Sequence, residues 1–161
     1  MKTKLKYIII LLGFLIFGPS IAEESQKNIY VVPIQDVIDL GIPGLVNRSI
    51  SLAEENNADL IVFDIDTFGG RVDAATQIKD AISGTEISTV GFINRRAISA
   101  GSLIALSCDK IFMTEGATIG ATSVVDMSGT KQSEKSQSYM REEMAATAEK
   151  SGKNPDIARG M

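Results

Sequence analysis

The chain has 161 residues, enough for about one domain. Hydrophobic residues make up 44% and charged residues 22%, with a net charge of −4, so the body is that of a folded protein and not a disordered one. No basic patch interleaves with aromatics, so no nucleic-acid partner is expected, and the complete lack of histidine excludes a Ser-His-Asp triad, a Cys-His dyad and any histidine-built zinc site.

Lys2, Lys4 and Lys6 precede an apolar run over 7–18. Pro19-Ser20-Ile21-Ala22 then offers small residues at the two positions a signal peptidase reads. The run is short for a bilayer span of about 20 residues. A cleaved secretory signal over 1–22 is therefore predicted, and the mature chain is expected outside the cytoplasmic membrane. No cysteine follows the run, so a lipoprotein signal is not supported. No later stretch is long and apolar enough to span.

A polar leader ends near residue 28. Residues 29–34 are β-branched and apolar and predict a strand, with Pro33 marking an edge or a strand end. Gly41-Ile42-Pro43-Gly44 predicts a turn, and 45–56 an amphipathic helix with Leu45, Val46, Ile50 and Ala53 on one side. Residues 59–66 form the clearest strand; its continuously apolar centre suits a strand covered on both faces. Thr67-Phe68-Gly69-Gly70 follows as a loop, and 71–83 predict a helix with Val72, Ala75, Ile78 and Ile82 inward. A third strand is expected over 89–93, a short buried helix over 99–108, a fourth strand over 110–114 and a glycine-containing turn over 115–120. Residues 124–133 are polar and irregular, and 135–150 predict a last helix stopped near Gly152. Alternating strands and helices indicate an α/β domain with a mostly parallel sheet and helices packed on it. The chain ends soon after that helix, so the domain is expected to lack its last elements, or to borrow them from a partner.

The stretch Ala97-Ile98-Ser99-Ala100-Gly101 lies at a strand-to-helix junction. A serine there has its hydroxyl at the positive end of the helix dipole, and small neighbours let another backbone approach. That suits a nucleophile; it also suits a plain N-cap. Without histidine, the base for such a serine must be a lysine or a carboxylate. A lysine serves once burial lowers its pKa from about 10.4 by several units. Lys135, one turn before Tyr139 on the last helix, is the favoured candidate over Lys131 in the polar loop and Lys150 at a helix end. An oxyanion hole needs backbone N–H groups aimed at one point. Gly69 and Gly70 can expose theirs, with Ala100 as a further donor, although spacing alone favours an ordinary tight turn for the glycine pair. Asp64, Asp66 and Asp73 form a weaker metal candidate, and Asp66 suits a turn cap; no cofactor or metal is called for. Cys108 has no partner for an internal disulfide and reads as a small buried hydrophobe.

Three ordered segments, Asp66-Thr67-Phe68-Gly69-Gly70-Arg71-Val72-Asp73, Ala97-Ile98-Ser99-Ala100-Gly101 and Ile119-Gly120-Ala121-Thr122, resemble the NfeD family of membrane-associated serine proteases. That family belongs to the ClpP/crotonase superfamily and is related to signal peptide peptidase A. The resemblance covers roughly 29–161 and implies a ClpP-like protease domain with a Ser-Lys dyad. It maps the serine onto Ser99 and the oxyanion glycines onto Gly69 and Gly70. The lysine starts the helix that runs into Ser151-Gly152-Lys153-Asn154, hence Lys135. Phe68 and Ser123 stand where many relatives have proline. Long relatives continue into a transmembrane region and a small β-barrel, and relatives are linked to cleavage of apolar segments of stomatin-like membrane proteins. The expectation is an exported serine endopeptidase, a homo-oligomer such as a dimer, with a stomatin-like protein as substrate or partner. The rivals are a non-catalytic scaffold for that partner and a crotonase-type thioester enzyme.

Overall fold

A computed structural model describes residues 26–126 and 128–161; the leader predicted over 1–22 lies outside them. The elements alternate as expected: β1 (Ile29–Ile38), α1 (Ile42–Glu55), β2 (Leu60–Gly70), α2 (Val72–Ile82), β3 (Thr89–Ile98), α3 (Ala100–Ser107), β4 (Lys110–Met113), β5 (Thr118–Gly120), α4 (Glu134–Lys150) and α5 (Pro155–Arg159). The sheet is parallel throughout, in the order β1-β2-β3-β4. Strand β5 also pairs with β3, beyond the stretch that β4 occupies. Pro33 has no N–H to give a ladder and sits on β1, the edge strand.

The β2 side chains alternate strictly. Ile61, Phe63, Ile65 and Thr67 are buried beneath the helices, while Leu60, Val62, Asp64 and Asp66 lie half-buried on the other face. The continuous apolar centre of β2 led to an expectation of cover on both faces. Only one face is fully covered among the described residues, and Val31 on the neighbouring strand is 65% exposed. Helices α1 and α2 bury the stripes Val46, Ile50, Ala53 and Ala74, Ala75, Ile78, Ile82. Helix α3 is buried on every side, which its composition allows.

Several boundaries moved. Helix α1 starts at Ile42, not 45, because Pro43 in its first turn has its φ preset for a helix and needs no donor there. Strand β2 runs on through Gly70 because Val37 and Ile38 of β1 pair with Gly69 and Gly70. The segment expected as a turn over 115–120 ends in strand β5. A short helix, α5, follows Asn154, whose side chain accepts from the N–H groups of Asp156 and Ile157.

Lysines hold two helix ends. Lys150 was expected to complement the end of its own helix, but its ammonium donates to the Ser83 carbonyl at the C-cap of α2, 3.2 Å away. Lys153, half-buried, donates to the Cys108 carbonyl and to Ser151 Oγ at 2.9 Å, and so closes the C-terminus of α3. Burial holds the Lys153 ammonium below the ordinary lysine range. Cys108 is fully buried beside it, and burial pushes its thiol up to about 12. At pH 8 only about one thiol in 10⁴ is then ionised. Ellman's reagent is expected to leave the native protein unlabelled and to titrate one thiol after denaturation. Fast labelling of the native chain would show that this end of α3 opens.

Candidate active site

Ser99 sits between β3 and α3 with φ 53° and ψ −117°, a conformation that non-glycine residues rarely adopt. Such a residue costs on the order of 1–3 kcal/mol and persists only where its surroundings enforce it. Here the Ser99 N–H donates to the Gly120 carbonyl at 2.8 Å, and the Ser99 carbonyl accepts from the Ser102 N–H at 2.9 Å. With this backbone the Ser99 side chain makes no capping hydrogen bond. The plain N-cap explanation therefore fails: an N-cap serine would bond an orphan N–H of its own first turn.

Ser102, one turn on, is the residue that sequence reasoning missed. Its buried hydroxyl accepts from the Gly120 N–H at 2.8 Å and lies 2.6 Å from the Ala97 carbonyl and 3.0 Å from the Gly120 carbonyl. It ties β3, β5 and α3 at one point. Its only signal in the sequence was a polar residue opening an apolar helix.

The glycine pair is fixed from two sides. A bulge at Asp36 of β1, with φ 61°, turns its carbonyl toward the buried Thr67, whose hydroxyl donates to it. The same hydroxyl accepts from the Gly69 N–H at 2.9 Å, so that amide is engaged. Gly69 has φ 104°, and a Cβ there would lie 2.7 Å from Ser99 Cβ and 3.2 Å from the Ala100 nitrogen. The glycine is what allows the β2 end to touch the serine. Gly70 presses on β1 instead, where a Cβ would fall 2.2 Å from the Ile38 carbonyl oxygen. Gly101 admits the Thr67 methyl, 2.6 Å from where its Cβ would stand. Between the pairs Ile65–Ile93 and Thr67–Ala97, β3 advances four residues while β2 advances two, and this irregularity carries Ser99 round to Gly69.

Ser99, Gly70 and Ala100 line one small pocket with Val72, Ala75, Thr122, Ser123, Val124, Val125 and Met140. Its volume is about 50 Å³. The Ala100 N–H heads α3, where the first N–H groups of a helix have no partner within it. Val124, within the pocket-lining segment 122–125, is held by the buried Gln137 of α4. Its amide accepts from the Val124 N–H at 3.1 Å and donates to the Val124 carbonyl at 2.7 Å.

Lys135 does not join this group. It lies in the first turn of α4 and is exposed, on the face that carries the exposed Tyr139 and not on the face of Gln137, Met140 and Met144. No hydrogen bond connects it with Ser99 among the described residues. Lys131 is likewise exposed, opposite Val125 in an antiparallel bridge. The carboxylates of the weaker metal candidate are dispersed. Asp66 is held by Arg95 at 2.6 Å and Arg96 at 3.4 Å, so it pairs with arginines where a turn cap was expected. Asp73 pairs with Arg71 at 2.7 Å, and Asp64 has one oxygen 3.4 Å from the Gln35 amide. Phe68, 73% exposed, stacks under the Arg96 guanidinium at 4.3 Å.

The chain is similar to known proteins. The chain is 36% identical over 140 residues to membrane protein NfeD1b of Bacillus subtilis, covering 87% of this chain and 32% of that protein. It is 32% identical to membrane-bound protease PH1510 of Pyrococcus horikoshii, covering 83% of this chain and 32% of that one. The chain thus spans about a third of the length of these relatives. Among solved structures it resembles two forms of the membrane-bound stomatin-specific protease 1510-N at 29% identity. The serine-to-alanine mutant aligns with TM-score 0.76, over 84% of this chain and 69% of that one. The lysine-to-alanine mutant, in complex with a substrate peptide, aligns with TM-score 0.78, over 84% and 65%. ClpP1 of Listeria monocytogenes shares the fold, with TM-score 0.59 at 23% identity over 81% and 76%. Among the described residues no helix is long and apolar enough to cross a membrane. The family model for the NfeD1b N-terminal domain matches residues 28–161, and the chain belongs to that family, on a ClpP-like α/β fold.

Proposed function

We propose that this domain is a serine endopeptidase that cuts apolar segments of a stomatin-like membrane-associated protein. The observation that carries the reading is Ser99, held at positive φ with its hydroxyl released from capping, beside Gly70 and the head of α3. The solved relatives add support: one is described as a serine mutant, another as a lysine mutant holding a substrate peptide. In the proposed reaction Lys135 takes the Ser99 proton as Oγ attacks the scissile carbonyl. The N–H groups of Gly70 and Ala100 hold the oxyanion. Gly69 acts through position, since its own N–H serves Thr67. Collapse of the tetrahedral intermediate expels the amine, which takes the proton from Lys135, and water then releases the acyl group from Ser99.

Lys135 must travel to do this. It stands five residues before Met140, about 7.5 Å along the helix axis. Catalytic hydrogen bonds often close only when substrate is bound, and the substrate is the natural driver for Lys135 and the loop before it, ahead of Gln137, to reorganise. The 1–22 leader is proposed to export the chain, and a homodimer is its proposed assembly. The exposed position of Lys135 favours one rival, a scaffold that binds the stomatin-like protein without cutting it. A fluorophosphonate probe separates the two. The peptidase reading expects one covalent adduct on Ser99, found by peptide mass mapping, and none on Ser99→Ala. A wild-type chain that captures a stomatin-like peptide intact and never takes the probe would favour the scaffold.

A further inference from the structure

The pocket beside Ser99 has a definite size, and its size selects. Building on the peptidase reading above, we infer that this cavity receives the side chain on the acyl side of the scissile bond and accepts only small apolar groups, with Met140 as the floor that sets the limit. The cavity touches the reacting atoms directly, since Ser99, Gly70 and Ala100 form part of its wall. A carbonyl placed between the Ser99 hydroxyl and the Gly70 and Ala100 amides therefore directs its own side chain inward. The rest of the wall is mostly apolar, Val72, Ala75, Val124, Val125 and Met140, with Thr122 and Ser123 beside them.

About 50 Å³ is available there. That is room for a few water-sized spheres of about 10–15 Å³ each. A methyl or isopropyl group fits such a space, whereas the six carbons of a phenyl ring do not. The wall is also stiff. Val124 has both its N–H and its carbonyl bonded to the Gln137 amide, and Gln137 is itself buried. Met140 is buried in α4 against the core, one turn from Met144. Enlarging the cavity thus means breaking a two-bond clamp or displacing a packed side chain.

The test is a panel of peptides, identical except for alanine, valine, leucine or phenylalanine at the residue whose carbonyl is attacked. The full chain is assayed, with Ser99→Ala as blank. Alanine and valine are expected to exceed phenylalanine in kcat/KM by at least about tenfold, the scale on which an apolar pocket discriminates by a few carbons. Met140→Ala is expected to move the leucine-to-alanine and phenylalanine-to-alanine ratios up by about tenfold or more. If circular dichroism shows that variant unfolded, Val125→Ala at the exposed rim replaces it, with a smaller shift in the same direction. Reversible peptide boronates bearing the same four side chains bond the serine without turnover, and their Kd values should follow the same order. Equal cleavage of the alanine and phenylalanine peptides by the wild type, or ratios that neither variant moves, overturns the size limit and leaves the peptidase reading standing. Uncut peptides combined with correctly ordered boronate binding would uphold the limit and remove the turnover. Absence of both cleavage and boronate binding removes both.

Discussion

Replacing Ser99 by alanine is expected to lower kcat/KM on a cleavable peptide by roughly 10⁴- to 10⁶-fold, the scale seen when a serine peptidase loses its nucleophile. The melting temperature should stay where it was. The Ser99 side chain caps nothing, so its loss removes no capping bond, and alanine meets the same positive φ. Lys135→Ala should produce a comparable loss of turnover, again with little change in stability, because that side chain is exposed. Lys135→Arg distinguishes a base from a mere positive charge. Guanidinium does not give up its proton in proteins, so arginine should fail to restore activity. Peptide cleavage followed by mass spectrometry, with the melting curve of each variant beside it, reads all three. Full activity of Ser99→Ala would falsify the mechanism; full activity of Lys135→Ala would leave the nucleophile and remove its proposed base.

Gly70→Ala should damage the fold and the chemistry together. The added Cβ would sit 2.2 Å from the Ile38 carbonyl oxygen and 2.7 Å from the Ile38 nitrogen. Both are backbone atoms of a paired strand and cannot swing aside as a side-chain tip can. Either β1 or the end of β2 must shift, at a cost of about 3 kcal/mol. For a chain of this size that lowers Tm by roughly 10 °C. Displacing Gly70 also displaces the N–H proposed to hold the oxyanion, so activity should fall further than stability alone explains. Gly44→Ala is the contrast. Its nearest obstacle is the Arg48 guanidinium at 3.3 Å, a mobile group, and the position is inside α1. Helix propensity should there favour alanine by up to about 1 kcal/mol. Thermal melts that ranked the two substitutions the other way would refute the packing argument.

The layered α/β order was legible because β-branched runs and amphipathic stripes alternate along the chain, and because each buried stripe repeats at helix spacing. The candidate nucleophile was legible as a small-residue junction, and three short segments in order pointed to the family. What the sequence hid has specific causes. The full length of β1 depends on a bulge at Asp36, whose φ of 61° no propensity announces. Strand β5 exists because β3 has a free edge beyond β4, a matter of register and not of local composition. The Thr67 bond that engages the Gly69 amide, and the Ser102 bonds to Ala97 and Gly120, join residues from separate elements. The position of Lys135 was the hardest case. A lysine in the first turn of an amphipathic helix shows its phase, but not how far that helix lies from a serine in another.

Helix α3 works like a spindle seated in two bearings. At one end β5 grips the residue that precedes it, and at the other the Lys153 ammonium closes it. A part mounted in this way neither slides nor swivels, so the Ser99 hydroxyl is presented at a constant height. Any motion at this site is then left to the opposite jaw, at the loop before α4 and the residues ahead of the Gln137 clamp.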